Sequence, residues 1–280
     1  MITNIASSMA VQLAQKRAGK LGFGVYSGRA GTLVERNFLA FKTSNWLVIV
    51  SGFVEPVFYL LAFGFGIGKL IGGVTDGNGH EVTYAQYIVP ALLATSAMNG
   101  AIMDSTWNVF FKMHFGKIYQ AMLATSLGSL DVALGEIGWA LLRGLTYAIG
   151  FMCIVVPLGL VPSAWGILAI PAATLIAFGF ASVGMGITSY MNNFHQMDYL
   201  NFFMLPMFLF SGTFYPVSVF PEWIQLIVKA LPLSQAVELV RGLTLGNVDL
   251  ALFGHVLYFV VMVVAGLFFT TKRLTALFMQ

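Results

Sequence analysis

The stretch FLFSGTFYPVSVFPEWIQ, residues Phe208–Gln225, leaves an apolar run at Phe210-Ser211-Gly212. It turns at Tyr215-Pro216, turns again at Phe220-Pro221 and ends on Glu222-Trp223. Each proline fixes φ and removes a backbone donor, so a helix that simply crosses a bilayer has no use for two of them in such close succession. A soluble loop would not gather so many aromatics. The next residues, EWIQLIVKALPLSQAVELVRGLTLG (Glu222–Gly246), form two short amphipathic segments divided at Leu231-Pro232. Neither reaches the roughly 20 apolar residues of a span, and Glu222, Lys229, Glu238 and Arg241 would be costly at mid-bilayer. The reading that satisfies both facts is the top of a span followed by two short helices. These dip into one leaflet and return, packed against protein.

Composition agrees. Of 280 residues, 58% are hydrophobic and 9% charged, against about 25% charged in a soluble domain. The single cysteine, Cys153, excludes an internal disulfide, and the four histidines are scattered without metal-ligand spacing. No catalytic, cofactor-binding or metal-ligating set emerges, and nothing points to nucleic acid. GFGIGKL (Gly64–Leu70) places a lysine after glycine, but Leu70 stands where a phosphate-binding loop needs Ser or Thr.

Working outward, six spans are expected. They are Asn45–Leu70, Tyr87–Trp107, a third beginning near Val132, a fourth over about 165–189, a fifth over about 199–214, and Leu252–Thr271. GNGHEVTYAQ reads as a polar loop between the first two. Under this count ten Lys/Arg fall on the face that carries both termini and three (Lys69, Lys229, Arg241) on the other, with Arg143 inside span three. The positive-inside rule then makes the termini cytoplasmic. Residues 1–30 read as a cytoplasmic leader containing Lys16, Arg17 and Lys20, and residues 31–280 as the membrane domain. GTLVERNFLAFKTS (Gly31–Ser44) reads as a surface helix immersing Leu33, Phe38 and Phe41 while Arg36 and Lys42 reach lipid headgroups.

Two further features carry functional weight. Between Asn108 and Ala124, Phe111, Phe115, Ile118 and Met122 recur at three- or four-residue steps, with Lys112 and Lys117 off that stripe. This is a helix along the membrane surface, either a connector that touches only lipid or a platform for a cytosolic partner. Within the spans, Glu55 precedes Pro56, and Glu136 and Arg143 lie seven apart on one face. Intramembrane charges pair or line a polar cavity. Structural pairing, including pairing across a dimer, stands ahead of substrate contact and a proton relay.

Several stretches together resemble the permease subunit of ABC transporters of the ABC-2 type, the exporter class, and within it the nodulation lipo-oligosaccharide and daunorubicin-type permeases. LPMFLFSGTFYPVSVFPEWIQLIVKALPLSQAVELVRGLTLG is similar to that family's span-five end and external hairpin. ERNFLAFKTSNW resembles its connecting helix, EPVFYLLAFGFGIG its first span, and FKMHFGKIYQAMLATSLGSLDVALGE its coupling segment.

The resemblance implies an all-α polytopic membrane protein. It would have six transmembrane helices, an amphipathic N-terminal connecting helix, a cytoplasmic coupling helix and an external re-entrant helical hairpin. It implies a bacterial plasma-membrane exporter of an amphipathic drug, lipid or glycolipid, built from two permease chains, more readily a homodimer, and two nucleotide-binding subunits that hold ATP and Mg. Phe111, Lys112, Phe115, Gly116, Lys117 and Ile118 become the expected coupling residues. Phe58, Phe65, Met204, Met207, Phe208 and Phe210 become expected route-lining residues of spans one and five. Tyr215, Pro216 and Pro221 are expected to close the outer end, with Glu238 and Arg241 anchored by a local ion pair or by contacts to span one. The competing classes are an ATP-independent secondary transporter or flippase, and a membrane enzyme or assembly factor. No half-to-half repeat supports the former, and no paired acids or nucleophile–base set supports the latter.

Overall fold

The computed structural model describes residues 26–42, 47–75, 79, 81–125 and 127–278. The leader expected over residues 1–25, with Lys16, Arg17 and Lys20, lies outside the described residues, as do His80 and the side chains of Phe41 and Lys42. Helix α1 (Ala30–Lys42) precedes α2 (Leu47–Tyr59), which continues as a π-helical segment, Leu60–Ile67, and a last turn, α3 (Gly68–Ile71). The stretch read as a polar loop contains β2 (Glu81–Thr83), which pairs antiparallel with β1 (Gly73–Thr75) just before that stretch, Val74 lying opposite Val82. Helix α4 (Tyr84–Met103) passes through a π turn, Asp104–Asn108, into α5 (Val109–His114), then α6 (Ile118–Leu123) and α7 (Ser129–Val155). A 3-10 turn leads into α8 (Ala169–Thr188), followed by α9 (Met197–Phe210), α10 (Glu222–Ala230), α11 (Pro232–Leu245) and α12 (Leu250–Phe278).

Four stretches among the described residues are long and apolar enough to cross a membrane: Val54–Ile71, Ser129–Val155, Ala164–Thr188 and Leu250–Phe278. A fifth candidate, α10 with α11, qualifies only as a pair bent by 84°. Pro232 opens α11 where its missing N–H costs nothing, and Leu231 before it is extended. The chain therefore bends by 84° between the two short helices instead of continuing straight, at the Leu231-Pro232 division read from the sequence.

Helix α4 starts on a capping box, the Gln86 N–H donating to Thr83 Oγ1 at 3.3 Å and the Thr83 N–H to Gln86 Oε1 at 3.1 Å. Of its 20 residues 17 are buried, which makes it the central pillar, enclosed by α2, α7, α8 and α11. A helix that meets protein on every side need not be apolar throughout, and α4 carries Thr95, Ser96 and Asn99 in its second half. Its Ala91, Ala94, Ala97 and Ala101 let the neighbours approach closely.

Both ends of the bundle are tied. At one end the Ser163 N–H donates to the Thr244 carbonyl (3.2 Å) and the Tyr84 hydroxyl to the Phe214 carbonyl (3.1 Å); this is the hairpin end. At the other, Ser129 and Thr275 share a 2.6 Å hydrogen bond and His114 Nε2 lies 2.8 Å from the Met191 carbonyl.

Helix α1 differs from its expected place. Leu33 does not enter lipid: it is 2% exposed and packs on α7. Gly135 makes the room, since a Cβ there would lie 2.5 Å from the Leu33 Cβ. Asp131 fixes the approach by accepting N–H donations from Ser27 (2.6 Å), Arg29 (2.9 Å) and Gly128 (2.9 Å). Phe38 stays exposed.

Helices α8 and α12 form the closest seam of the bundle. A Cβ on Gly266 would sit 2.6 Å from the Ser182 carbonyl carbon, and the Thr270 hydroxyl donates to the Ser182 carbonyl at 3.2 Å. Gly266→Ala is expected to destabilise the chain by about 1–3 kcal/mol through overpacking, read as a lower thermal midpoint in detergent. Gly254→Ala, on the same helix with nothing within 4 Å, should be neutral or slightly stabilising.

Candidate functional site

Three hollows meet at Glu55. The first, about 240 Å³, lies between α2, α4 and α9 and is lined by Glu55, Tyr59, Thr95, Ser96, Asn99, Asn201, Met204 and Phe208. A second, about 310 Å³, extends toward α7 and is bounded by Glu55, Ser96, Asn99, Met103, Arg143 and Tyr147. The third is an apolar groove of about 430 Å³ on the outer side of α2, along Val54, Phe58, Tyr59, Ala62 and Phe63. An aromatic seam joins α2 to α9 above them, with ring centroids 5.8 Å apart for Tyr59–Phe208 and 4.9 Å for Phe63–Phe214.

Of the six residues expected along the route, the structure brings Phe58, Met204 and Phe208 to these hollows. Phe65 is exposed on the π-helical segment, Met207 packs against the core, and Phe210 stacks on Phe220 at 5.8 Å.

Of the three intramembrane charges, Glu136 and Arg143 are matched, though not as the sequence spacing implied. Glu136 and Arg143 do not pair with each other. Seven residues is almost two turns, too far along the axis for their tips to meet while nearer partners exist. Glu136, 3% exposed at its side chain, takes Lys112 Nζ of α5 at 2.6 Å. Asn37 of α1 joins them, donating to Glu136 Oε2 (3.3 Å) and accepting from Lys112 (3.4 Å). Arg143 instead meets Asp104 of the π turn at 2.9 Å and hydrogen-bonds Tyr147. Asn108 donates to the same carboxylate oxygen of Asp104.

At the hairpin end Arg241 is 6% exposed and well held. Its guanidinium donates to the Gly212 carbonyl at 2.8 Å and to Glu238 Oε1 at 3.0 Å, and it lies 4.0 Å from the centre of the Tyr87 ring. The Tyr87 hydroxyl donates to the same Gly212 carbonyl at 3.3 Å. The expected local ion pair exists, but the tertiary contacts go to α4 and the end of α9, not to span one. Gly212 has φ +70°, a left-handed turn that only glycine adopts freely, and it aims the carbonyl at both donors. Tyr215 donates to the Leu209 carbonyl at 3.2 Å, and Pro221 leads into α10, its carbonyl accepting the first N–H groups of that helix. Pro216 starts the short 3-10 turn Val217–Val219.

The expected amphipathic helix over 108–124 is two helices. The chain breaks at Phe115–Lys117, where Lys117 takes φ +47°, uncommon for a residue with a side chain. That reversal resets the helical phase, so the periodic stripe divides. Met122 is buried and Ile118 half-buried, while Phe111 and Phe115 face outward. The residues that seat the segment are Phe110, Met113, Tyr119 and Met122. Phe111 and Phe115 stack at 5.4 Å, and Phe111 reaches Phe194 of the α8–α9 connection at 6.0 Å. Lys112, Gly116 and Lys117 border this exposed aromatic cluster.

Sequence reading missed Asp104, Asn37, Tyr87 and the Thr95, Ser96, Asn99 and Asn201 lining. Asp104 carried a signal: an acid at the foot of a span two needs a cation, and Arg143 was the span residue left over. The others carried none, because their role depends on which helices are neighbours.

This architecture, with buried ion pairs, a re-entrant hairpin and lateral hollows between helices, is that of a polytopic helical membrane protein. Residues 29–245 match the family model described as ABC-2 type transporter. The chain is 31% identical to Nodulation protein J of Sinorhizobium fredii (strain NBRC 101917 / NGR234), over 74% of this chain and 77% of that protein. It is 29% identical to Nodulation protein J of Rhizobium leguminosarum bv. trifolii, over 85% and 90%. It is 26% identical to Inner membrane transport permease YadH of Escherichia coli (strain K12), over 76% and 84%. The chain belongs to the ABC-2 type transporter family. It is the membrane permease component of an ABC exporter system, and ATP hydrolysis falls to a nucleotide-binding subunit.

Two stability predictions follow from the charge layer and the hairpin. Lys112→Met leaves the Glu136 carboxylate buried without its cation and should cost about 3–5 kcal/mol. Adding Glu136→Gln should recover most of that loss, measured by thermal unfolding in detergent. Arg241→Ala should cost about 2–3 kcal/mol, the scale of a buried charged hydrogen bond. Glu238→Ala should cost under about 1 kcal/mol, because Glu238 is half-exposed.

Proposed function

We propose that the chain is one of two identical permease chains of an ATP-driven exporter, assembled with two nucleotide-binding subunits that hold ATP and Mg. It moves an amphipathic or lipid-linked substrate out of the cytoplasm or the inner leaflet of a bacterial plasma membrane. In this reading there are six spans: α2 with its π-helical continuation, α4, α7, α8, α9 and α12. Both chain termini are cytoplasmic. Among the described residues, Arg36, Lys112, Lys117, Lys272 and Arg273 lie at the end opposite the hairpin, and at the hairpin end only Lys69, Lys229 and the buried Arg241 carry positive charge; that asymmetry supports the orientation. The relative named as an inner membrane transport permease supports the location.

One observation carries the mechanism. The α5–α6 segment faces outward with Phe111, Phe115, Gly116 and Lys117, while its Lys112 is tied by a 2.6 Å ion pair to Glu136 inside the bundle. A push on the exposed face therefore reaches α7 through a charge pair and α1 through Asn37, and Ile118 and Tyr119 seat the second helix. Force applied by a nucleotide-binding subunit at this surface is passed to the spans around Glu55. The hairpin held by Arg241, with Tyr215, Pro216 and Pro221 shaping its turn, closes the outer end of the route.

Phe115→Asp tests this cleanly, since Phe115 is 69% exposed and its loss has little folding cost. The variant should insert and melt like the wild type. In complex with its nucleotide-binding subunit it should bind that subunit about tenfold more weakly or lose ATP-driven export. Unchanged assembly and export would place the contact elsewhere.

A further inference from the structure

Glu55 stands apart from the other acids at membrane depth. Asp104 and Glu136 are buried and each meet a cation, at 2.9 and 2.6 Å, whereas Glu55 is exposed on α2 and has no hydrogen-bond or ion-pair partner among the described residues. A carboxylate in a span is retained where it meets a counter-charge, water or a ligand. Its surroundings are one-sided. The Thr95 hydroxyl donates to the Ala91 carbonyl (2.8 Å) and the Ser96 hydroxyl to the Gly52 carbonyl (3.4 Å). Both protons are thus spent on backbone, and what these oxygens can offer the hollow is lone pairs. Asn99 and Asn201 add two carbonyl oxygens, and among the described residues their amides are the only strong donors in the lining besides the Tyr59 hydroxyl. Among the described residues no lysine or arginine lines this hollow. Arg143 faces the neighbouring one and is engaged by Asp104. On the other side of Glu55 and Tyr59 the wall changes to Val54, Phe58, Ala62 and Phe63, with almost no polar surface.

We infer that the two hollows flanking α2 at Glu55 and Tyr59 form one two-compartment site. It takes an amphiphile whose head is rich in hydrogen-bond donors and carries no negative charge, an amine or polyhydroxyl head above all. The head lies against Glu55, Ser96, Asn99 and Asn201, and the tail lies along Phe58 and Phe63. The inference rests on the exporter reading in that it names that exporter's substrate class. A phosphate or carboxylate head would face Glu55 with no cation to offset it, so the site discriminates by charge as well as by shape.

The test is equilibrium binding to the full chain in lipid nanodiscs at pH 7, without ATP or partner subunit. It uses three tritiated probes that share one tail: dodecylamine, dodecyl glucoside and dodecyl phosphate. Dodecylamine and the glucoside should bind at least tenfold more tightly than the phosphate. Glu55→Gln keeps the shape of the side chain and should weaken dodecylamine about tenfold with little effect on the glucoside. Asn201→Asp adds a second carboxylate and should tighten dodecylamine while weakening the phosphate further. Phe58→Ala should weaken all three probes alike.

Equal binding of phosphate and amine by the wild type overturns the proposal. So does an unchanged amine preference in Glu55→Gln, and so does a Glu55→Gln chain that falls from dimer to monomer with its amine binding intact, because the carboxylate then serves an interface between copies. Failure of ATP-driven export in vesicles with these binding results intact would count against the exporter reading alone.

Discussion

Asp104 and Glu136 sit almost fully buried near one end of a helical bundle, and in that setting an unmatched carboxylate would cost several kcal/mol. Each is satisfied by a cation from a different element, and this requirement organises that end of the molecule. Lys112 must come from α5 to reach Glu136, which fixes where the segment after α4 lies. Asn37 must come from α1, which holds the N-terminal helix on α7. Arg143 must point at the π turn, whose extra residue per turn carries Asp104 toward it. Elements with little apolar area to bury are thereby located by charge. The short α5 and α6 would otherwise have only Phe110, Met113, Tyr119 and Met122 to hold them.

The hairpin end obeys the same rule with a different acceptor. There the buried cation Arg241 is satisfied mainly by a backbone carbonyl, that of Gly212, and by the face of Tyr87. A carbonyl can be presented in this way only where the backbone turns out of a helix, so the arginine and the left-handed glycine at the end of α9 depend on each other. Removing the conformational freedom of Gly212 would misdirect the acceptor as surely as removing the arginine would remove the donor.

The membrane class and the turned-back hairpin were legible in the sequence because they rest on local chemistry. A run such as Leu252–Thr271 has no other stable solution in water, and Pro216, Pro221 and Pro232 act on their own backbone. What was not legible depends on which helices touch. The Phe111–Phe115–Ile118–Met122 stripe is genuine as a pattern, but the left-handed Lys117 interrupts the helix that would have made it one face. Periodicity cannot see a break that tertiary packing stabilises. Glu136 and Arg143 share a face of α7, and both found nearer partners on other helices. Helix α4 was readable as a span, yet its central position, and hence the use of Asn99, became visible only with its neighbours in place. Leu33 looked like a lipid anchor because an apolar residue on a surface helix is the same in sequence whether it meets acyl chains or a glycine-lined notch in a neighbour.

Helix α9 has 14 residues, and at about 1.5 Å per residue it is about 21 Å long. The hydrocarbon core of a typical bilayer is about 30 Å thick. In the proposed six-span arrangement, the irregular chain from Ser211 to Phe220, held down by Arg241, has to supply the missing length on that side, or the lipid beside it has to thin. Either adjustment is modest in energy per ångström, but its location matters. In that arrangement a thinned annulus would lie alongside Met204 and Phe208, which wall the polar hollow, and a lipid headgroup beside α9 would start closer to mid-depth than elsewhere around the protein. The shortest of the six proposed spans would thus lower the barrier for an amphiphile to slip sideways out of its leaflet.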